Sequence, residues 1–389
     1  MAVALALLVG LGGFLVHRSG EQRRSEHDVS AADLTGRPGG ATATSRGSRA
    51  SGGTGARRPH AKPPTMTLGF AGDVNLEGEA GVAFRANALT LLAGVRRWLE
   101  RPDFTMVNVD TAIRDRGSPV AGKAVTWGAP KELFPVLKFS GVDAVTMANR
   151  HGLDYGRSAL ARALDIGREA NLPVLGAGLS DTDAFAPFRT VVRGRRLAVL
   201  AATQVFDAGF AELWKAGPDR SSGSGSTSLR SVGMAFTDPP DRLLAAVRRV
   251  RPTADLVVVY LAWGDEGSVC PSAAQKTLAG QLVEAGADVV VGSGAHRLQG
   301  AGHLRSGSGS GARRGFVSFG LGNFVFSNLT ADPPVSGVLE LSVSGRAVTA
   351  ARLEPFRLDK GRPVPLEAEQ ADRTRQVVRN LRRCAGLEP

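Results

Sequence analysis

The sequence is poor in cysteine and in tyrosine. It has two cysteines, Cys270 and Cys384, and two tyrosines among its 389 residues. Two cysteines cannot form the framework that stabilises small secreted domains. They could still pair in an oxidising compartment, but we favour the simpler interpretation of two unpaired thiols.

Acidic residues are also in short supply, since 36 Asp and Glu stand against 48 Lys and Arg, a net charge of +12. Such an excess raises the question of nucleic acid binding. Residues 17–65 hold nine basic and four acidic residues, a net charge of +5, which leaves +7 spread over the rest of the chain. No row of aromatic side chains accompanies this charge. We therefore expect no nucleic acid partner and favour an anionic polymer or a membrane surface.

The amino-terminal region has two distinct parts. Residues 1–16, MAVALALLVGLGGFLV, are apolar without interruption, yet slightly short for a comfortable membrane span. They lack the basic start and cleavage site of a removable signal peptide. We interpret them as an export signal or membrane anchor, with a buried helix as the alternative. Residues 17–65 are rich in Gly, Ser, Thr and Arg, which predicts a disordered linker.

From residue 66, apolar runs of strand length alternate with helical patterns. The spacing predicts helices over 88–100, 131–141, 157–170, 241–251 and 272–286, and strands over 66–72, 103–110, 142–148, 172–176 and 254–263. Further strands close the chain. This pattern is typical of an α/β fold in which two mixed sheets pack together with helices outside. We expect one domain over residues 66–355 and a basic tail or helix over 356–389.

Polar residues collect where the predicted strands end. Because the carboxyl ends of parallel strands meet at one edge of a sheet, these residues can meet in space. Asp, Asn and His side chains are ligands for divalent metals that activate water or hold phosphoryl oxygens. The strand-end residues are Asp73, Asn108, Asp110, Asn149, His151, Glu266, His296 and Asn323.

Seven short blocks stand in an order that resembles the bacterial capsule-synthesis CapA family, also called the poly-γ-glutamate synthesis protein family. The blocks are FAGDV, VNVD, ANRHGLDYG, LPVLGAG, AWGDEG, GADVVVG with a later His, and SFGLGNFVFS, within residues 66–328. The family's domain is similar to calcineurin-like metallophosphatases. The resemblance implies a four-layer α/β/β/α sandwich, metallophosphatase-like and with mixed sheets, carrying a two-metal site on one edge.

Three positions depart from the family pattern. Arg150 stands where the family usually has Asn, and Ala262 and Gly294 each stand where it has His. The resemblance leaves Asp73, Asp110, Glu266 and His296 as candidate metal ligands, with His151 and Asp73 as candidate catalytic residues. A guanidinium stays charged at physiological pH and would repel divalent cations in a partly buried site.

Three interpretations of Arg150 follow. It could replace a metal, pairing with Asp73 and Asp110 and binding an anionic ligand together with Asn149 and Asn323. It could instead point to solvent in a decayed site. Alternatively, a single divalent metal such as Mn or Zn remains as cofactor. Nearby, we interpret Asp154 as part of a turn or helix cap and Trp263 as a core residue.

Two functions of different classes are consistent with these residues. The first is an exported, membrane-anchored CapA-like protein that assists synthesis, export or attachment of an anionic polymer, poly-γ-glutamate or capsule, together with polymer-synthesis membrane subunits. The second is a metal-dependent hydrolase of phosphoester or amide bonds with a reduced metal site. A structural envelope protein that keeps only the fold is a third option. The basic residues after residue 16 would by themselves retain the domain in the cytoplasm, whereas the resemblance implies export.

Overall fold

A computed structural model of the chain describes residues 65–207, 209–219, 229–327 and 335–389. The expected anchor, residues 1–16, lies outside the described residues, as does the expected linker up to residue 64. All the described residues belong to one compact unit, residues 60–389. In the part of the chain that the structure describes, no helix is long and apolar enough to cross a membrane.

The strands of the described residues are numbered in chain order. They are β1 (Met66–Val74), β2 (Phe104–Val109), β3 (Ala112–Ile113), β4 (Gly128–Ala129), β5 (Ala144–Thr146), β6 (Val174–Leu175), β7 (Ala177–Gly178), β8 (Phe188–Val192), β9 (Arg195–Thr203), β10 (Gly233–Met234), β11 (Leu256–Ala262), β12 (Val289–Ser293), β13 (Ala301–Ser306), β14 (Arg313–Ser318), β15 (Asn323–Val325), β16 (Val335–Ser344), β17 (Ala347–Asp359) and β18 (Arg362–Pro365).

The α-helices of the same residues are α1 (Gly78–Ala86), α2 (Arg96–Glu100), α3 (Leu133–Phe139), α4 (Gly156–Glu169), α5 (Asp181–Ala184), α6 (Ala211–Trp214), α7 (Asp241–Val250), α8 (Ala273–Ala285) and α9 (Ala368–Ala385). The single helix predicted over residues 88–100 is wrong, because a 3₁₀ turn at Ala88–Thr90 and the short α2 replace it. Leu91, Leu92 and Val95 are nevertheless buried, so the periodic apolar residues mark a buried face rather than a continuous helix.

Local signals in the sequence fix the ends of α8. The Ser272 hydroxyl accepts a hydrogen bond from the Gln275 backbone N–H at 3.3 Å, and the Gln275 side chain accepts one from the Ser272 N–H at 2.9 Å. This reciprocal capping satisfies donors that the first turn leaves free. Gly286 follows the helix with a φ of 123°, a conformation that ends helices and favours glycine.

Two mixed sheets form the centre of the fold. The larger has the order β18-β17-β16-β1-β2-β5-β6, with β15 also paired to β1, and the smaller has the order β13-β14-β12-β11-β9-β8. Strands β1, β2, β5 and β6 are parallel, as are β9, β11, β12 and β14. Every residue of β11, LVVVYLA, is buried, as expected of a parallel strand covered on both faces.

The apolar core that the described residues form has three parts, which define four layers. Between the sheets, Phe70 and Met106 of the larger sheet share a cluster with Val199 and Tyr260 of the smaller one. Outside the larger sheet lies a cluster that includes residues of α1 to α4. Outside the smaller sheet lies a cluster that includes residues of α7 and α8. The predicted α/β/β/α sandwich with mixed sheets is confirmed.

The carboxyl-terminal region belongs to the same sandwich. Strand β17 runs through Asp359, so the domain boundary expected at residue 355 falls inside a strand and is wrong. The pairing of β17 with β16 continues across that position, with Pro355 opposite Gly337. The helix predicted near the end of the chain is present as α9.

The interpretation of the cysteines as unpaired thiols is also wrong, because Cys270 and Cys384 form a disulfide. The two residues are 114 positions apart, and the fold of α9 onto the domain brings them together. Gly300 permits this approach, since a Cβ there would lie 2.7 Å from the Leu381 carbonyl oxygen. Two cysteines so far apart in sequence form no spacing motif from which their pairing could be predicted.

Candidate functional site

A cavity of about 600 Å³ opens at the edge where the carboxyl ends of the parallel strands meet. We call it the strand-end cavity. It brings together residues that follow β5, β11 and β12 with residues from the loop between β3 and β4. Its lining includes Lys123, Val125, Trp127, Arg150, His151, Asp207, Phe210, Glu266, His296, Arg297, Asn323 and Phe326.

Asp73 is fully buried beneath this cavity, at the end of β1. It is opposite Asn323 in the pairing of β1 with β15. The close approach of these strands requires glycine at position 72, because a Cβ there would lie 1.7 Å from the Gly322 carbonyl oxygen. The Asp73 carboxylate accepts hydrogen bonds from Asn108 Nδ2 at 2.8 Å and from the Gly294 N–H at 3.2 Å.

A chain of amide side chains connects Asp73 to His151. Asn149 Nδ2 donates to Asn108 Oδ1 at 2.8 Å and to the Val109 carbonyl oxygen at 2.7 Å. Asn149 Oδ1 in turn accepts a hydrogen bond from the His151 backbone N–H at 3.0 Å. Asn149, expected to bind ligand, is therefore engaged in holding the loop after β5 and does not line the cavity.

His296 forms the cationic partner of Asp73. Its Nδ1 lies 3.1 Å from Asp73 Oδ2 and 2.7 Å from Asn323 Oδ1. Burial alone would lower the pKa of the imidazole, but the hydrogen bond and charge of Asp73, with the charge of Asp110, raise it to about 9. The φ of His296 is 57°, an uncommon conformation for a residue other than glycine. His296 is thus protonated at neutral pH.

Asp110 is buried after β2, and its Oδ2 has no hydrogen-bond partner among the described residues. Burial raises the pKa of this carboxyl, and the charge of Asp73 adds to the effect, while His151, His296 and Arg150 oppose it. Asp110 therefore lies within electrostatic range of the other candidate residues and keeps an open acceptor.

His151 is oriented by Asp154, which lies in the turn before α4 as expected but does not cap that helix. His151 Nδ1 lies 2.6 Å from Asp154 Oδ2, and Trp127 stacks on the imidazole with ring centroids 3.7 Å apart. The Trp127 backbone N–H also donates to Asp154 at 2.7 Å. Tyr155 precedes α4, and no side chain caps that helix. The three-residue spacing lets Asp154 turn inward under His151 instead of capping α4.

Lys123 completes this arrangement, and no sequence pattern points to it, since it lies in a loop without a recognisable motif. Its side chain is only 2% exposed. Its Nζ forms an ion pair with Asp154, lies 3.1 Å from Asp207 and donates to the Arg150 carbonyl oxygen at 2.7 Å. Lys123 thus joins three loops around the cavity.

Arg150 does not pair with Asp73 or Asp110, so that part of the metal-replacement hypothesis is wrong. Its Nη1 lies 3.1 Å from Glu266 Oε2, and its Nε lies 4.0 Å from Asp207. The reason is that His296 already pairs with Asp73, while the chain after β5 directs Arg150 to the cavity mouth. Glu266, expected to be a metal ligand, is 61% exposed and pairs with this arginine.

The side chains present do not fit a centre for two divalent cations. No group of three or more His, Cys, Asp or Glu side chains among the described residues is arranged to hold a metal ion. Ala262 and Gly294 have no side-chain atom that could bind a metal ion. The Gly294 N–H donates to Asp73 Oδ2, an oxygen that a metal ion would need as a ligand. Among the expected ligands, Asp110 retains an open oxygen.

Comparison with solved structures finds partial likenesses that include the following two proteins. A hypothetical protein from Thermus thermophilus is 17% identical with a TM-score of 0.44, covering 76% of this chain and 100% of that chain. A novel phosphatase from Mycoplasma pneumoniae is 11% identical with a TM-score of 0.44, covering 76% and 95%.

Sequence relatives come from three organisms. The capsule biosynthesis protein CapA of Bacillus anthracis is 27% identical over 315 residues, covering 79% of this chain and 71% of the relative. The PGA biosynthesis protein CapA of Bacillus subtilis is 25% identical, covering 67% of this chain and 62% of the relative. A probable polyglutamine synthesis accessory protein of Mycobacterium tuberculosis is 25% identical, covering 61% and 63%. The chain thus spans slightly less than two thirds of the last two relatives.

The sequence pattern of one protein family matches more than half of the chain. The match covers residues 67–328, which contain all the candidate residues of the strand-end cavity. The resemblance inferred from the seven short blocks is confirmed. The chain belongs to the bacterial capsule synthesis protein family PGA_cap.

Proposed function

We propose that this protein is an exported, membrane-anchored accessory protein that binds an anionic polymer, poly-γ-glutamate or capsule, during its synthesis, export or attachment. Binding rather than metal-dependent catalysis is its role, and its metal site is degenerate. The observation that supports this most is the guanidinium of Arg150 at the mouth of a cavity whose side chains do not fit two divalent cations.

The Arg150 guanidinium is available to an incoming carboxylate. Its partner Glu266 is 61% exposed, and exposed ion pairs contribute only about 0–1 kcal/mol to stability. A ligand carboxylate can therefore displace Glu266 at little cost and use the planar donor pair of the guanidinium. Trp127 and Phe326 line the same cavity and add apolar surface beside that contact.

Further observations support export. Disulfides persist in oxidising compartments and are rare in the cytosol, and this chain has one between Cys270 and Cys384. The apolar residues 1–16 have the composition of a membrane-contacting segment. Polymer-synthesis membrane subunits are the partners that such an anchored protein would meet.

The test is titration of the full chain with poly-γ-glutamate in EDTA, over a series of salt concentrations. We expect binding that weakens as salt rises, because the attraction is between opposite charges. The same polymer with its carboxylates amidated is the control and should not bind. Binding that requires added Mn or Zn would contradict the proposal.

A second candidate function is metal-dependent hydrolysis of phosphoester or amide bonds, with His151 as general acid. The observation in its favour is the buried His151–Asp154 pair, in which Asp154 holds the imidazole beneath Trp127. Hydrolysis of p-nitrophenyl phosphate or of a γ-glutamyl amide in the presence of Mn, lost in His151→Gln, would favour this function over binding.

A further inference from the structure

A second cavity, of about 610 Å³, is lined by residues of α9, of β16 and β17, and of the loops that follow β11 and β12. We call it the α9 groove. Its apolar surface includes Val269, Leu298, Val335 and Val377. Three arginines, Arg297, Arg357 and Arg373, also line it, and none of its described lining residues is acidic. The groove therefore combines an aliphatic surface with an excess of positive charge.

The α9 groove continues from the strand-end cavity. Arg297 lines both cavities, because it follows β12 between His296, which faces the first, and Leu298, which faces the second. Within the described ranges, the Arg297 guanidinium has no ion pair or hydrogen bond. A half-buried cation with no partner among the described residues, at the junction of two cavities, is suited to an anionic group from outside.

The other two arginines are held only weakly. Arg357 lies 3.9 Å from Asp359, and both side chains are close to half exposed. Arg373 pairs with Glu369, one turn earlier on α9, and both side chains are largely exposed. Exposed pairs of this kind contribute little stability, so carboxylates of a ligand can replace their partners.

The Cys270–Cys384 disulfide connects two walls of the α9 groove. Cys270 follows the lining residue Val269, and Cys384 lies in the last turn of α9, whose residues form the opposite wall. Few side chains of α9 are buried, with Ala371 and Ala385 the fully buried ones. The covalent link thus holds a lightly packed helix in place and keeps the groove formed before a ligand arrives, which lowers the entropy cost of binding.

We propose that the α9 groove is a binding track for an acidic polymer with an aliphatic backbone, continuous with the strand-end cavity at Arg297. The proposal rests on the proposed function and extends it from one ligand group to several. In a γ-linked glutamate polymer, each unit carries one carboxylate beside backbone methylenes. The carboxylates pair with arginines, and the methylenes pack on valine and leucine side chains.

The experiment uses the full chain and γ-glutamyl oligomers of two lengths, about three and about twelve residues, with binding followed by fluorescence anisotropy in EDTA. The short oligomer can fill only the strand-end cavity, whereas the long one can also enter the groove. We expect the parent to bind the long oligomer at least about tenfold more tightly, because the added contacts are intramolecular.

Substitutions in the groove lining distinguish binding in the α9 groove from binding in the strand-end cavity. We expect Arg357→Gln combined with Arg373→Gln to reduce the length-dependent gain to about twofold or less while short-oligomer binding stays unchanged. Val377→Ser, at a residue 56% exposed, should also reduce the gain without harming the fold. The matched control is Arg383→Gln, an exposed position on α9 outside the groove lining, which should leave the gain intact.

Each alternative result has one meaning. A length-dependent gain that survives the double variant overturns the α9 groove and leaves the proposed function standing. Failure of both oligomers to bind the parent overturns the proposed function as well. If the double variant loses binding to vesicles of anionic lipid but keeps its oligomer gain, the groove serves a membrane surface and the polymer track is wrong.

Discussion

The imidazole of His296 lies 3.1 Å from the buried carboxylate of Asp73, and this contact places a fixed positive charge inside the site. The raised pKa of His296, about 9, keeps that charge at neutral pH. The protonated imidazole balances the negative charge of Asp73, as a bound metal cation would. Arg150 is thereby left at the cavity mouth, where it faces ligands rather than Asp73.

The His296–Asp73 pair predicts a pH-dependent stability in metal-free protein. Because the folded pKa of about 9 lies above the ordinary 6.5, the contribution is complete below pH 6.5 and is lost as pH rises through 9. Its size is on the order of 3 kcal/mol. Chemical denaturation between these pH values should show the loss, and His296→Gln should remove that slope. An equal slope in both proteins would contradict the assignment.

The buried ion pair of Lys123 with Asp154 predicts a large effect of removing one partner. Lys123→Met removes the cationic partner of the buried Asp154 carboxylate and leaves it with His151 and the Trp127 N–H, at a cost of about 3–5 kcal/mol of unfolding free energy. The control is Lys131→Met, which removes an ion pair with Asp115 from a side chain 50% exposed and should cost less than about 1 kcal/mol. Similar costs for the two variants, measured by urea denaturation, would show that Lys123 is not buried as described.

The disulfide predicts a difference between oxidised and reduced protein. Cross-links that close long loops typically stabilise a protein by about 2–4 kcal/mol, and this one closes 114 residues. Cys384→Ser, or reduction of the parent, should lower the free energy of unfolding by this amount and lower the melting temperature with it. Two reactive thiols in the unreduced, denatured protein would mean that the bond is absent.

The distribution of the core predicts that residues 60–389 fold without the preceding segment. Among the described residues, three apolar clusters form the core, and they lie between Met66 and Ala385. A chain shortened to these residues should unfold cooperatively by calorimetry and remain monodisperse. Aggregation or the absence of a thermal transition would indicate that residues 1–59 contribute to the core.

Much of the fold is readable from the sequence because the parallel strands are strongly apolar. The run from Leu256 to Ala262 predicts a buried central strand, and the structure places β11 there. Residues at the ends of such strands must gather at one edge, which is how Asp73, His151 and His296 come together. Trp263 is fully buried and donates to the Phe319 carbonyl oxygen, as expected of a core residue.

The details of the site depend on tertiary contacts that the spacing of residues in the sequence does not specify. Lys123 comes from a loop whose path is set by tertiary packing, so no residue spacing in the sequence predicts its contact with Asp154. Asp154 could equally cap α4 or turn inward, and the choice is made by its pairing with Lys123 and His151. The partner of Arg150 depends on side-chain direction, which strand-end convergence leaves open.

The central claim is that the strand-end cavity binds carboxylates through Arg150 without a metal. The most direct measurement is titration of a short γ-glutamyl oligomer into the parent and into Arg150→Asn, each in EDTA and again with Mn added. We expect the variant to bind at least about tenfold more weakly in EDTA, equivalent to about 1.4 kcal/mol, and added Mn to restore nothing. Binding by Arg150→Asn that is stronger than the parent's in EDTA, or that appears only with Mn, would contradict the claim.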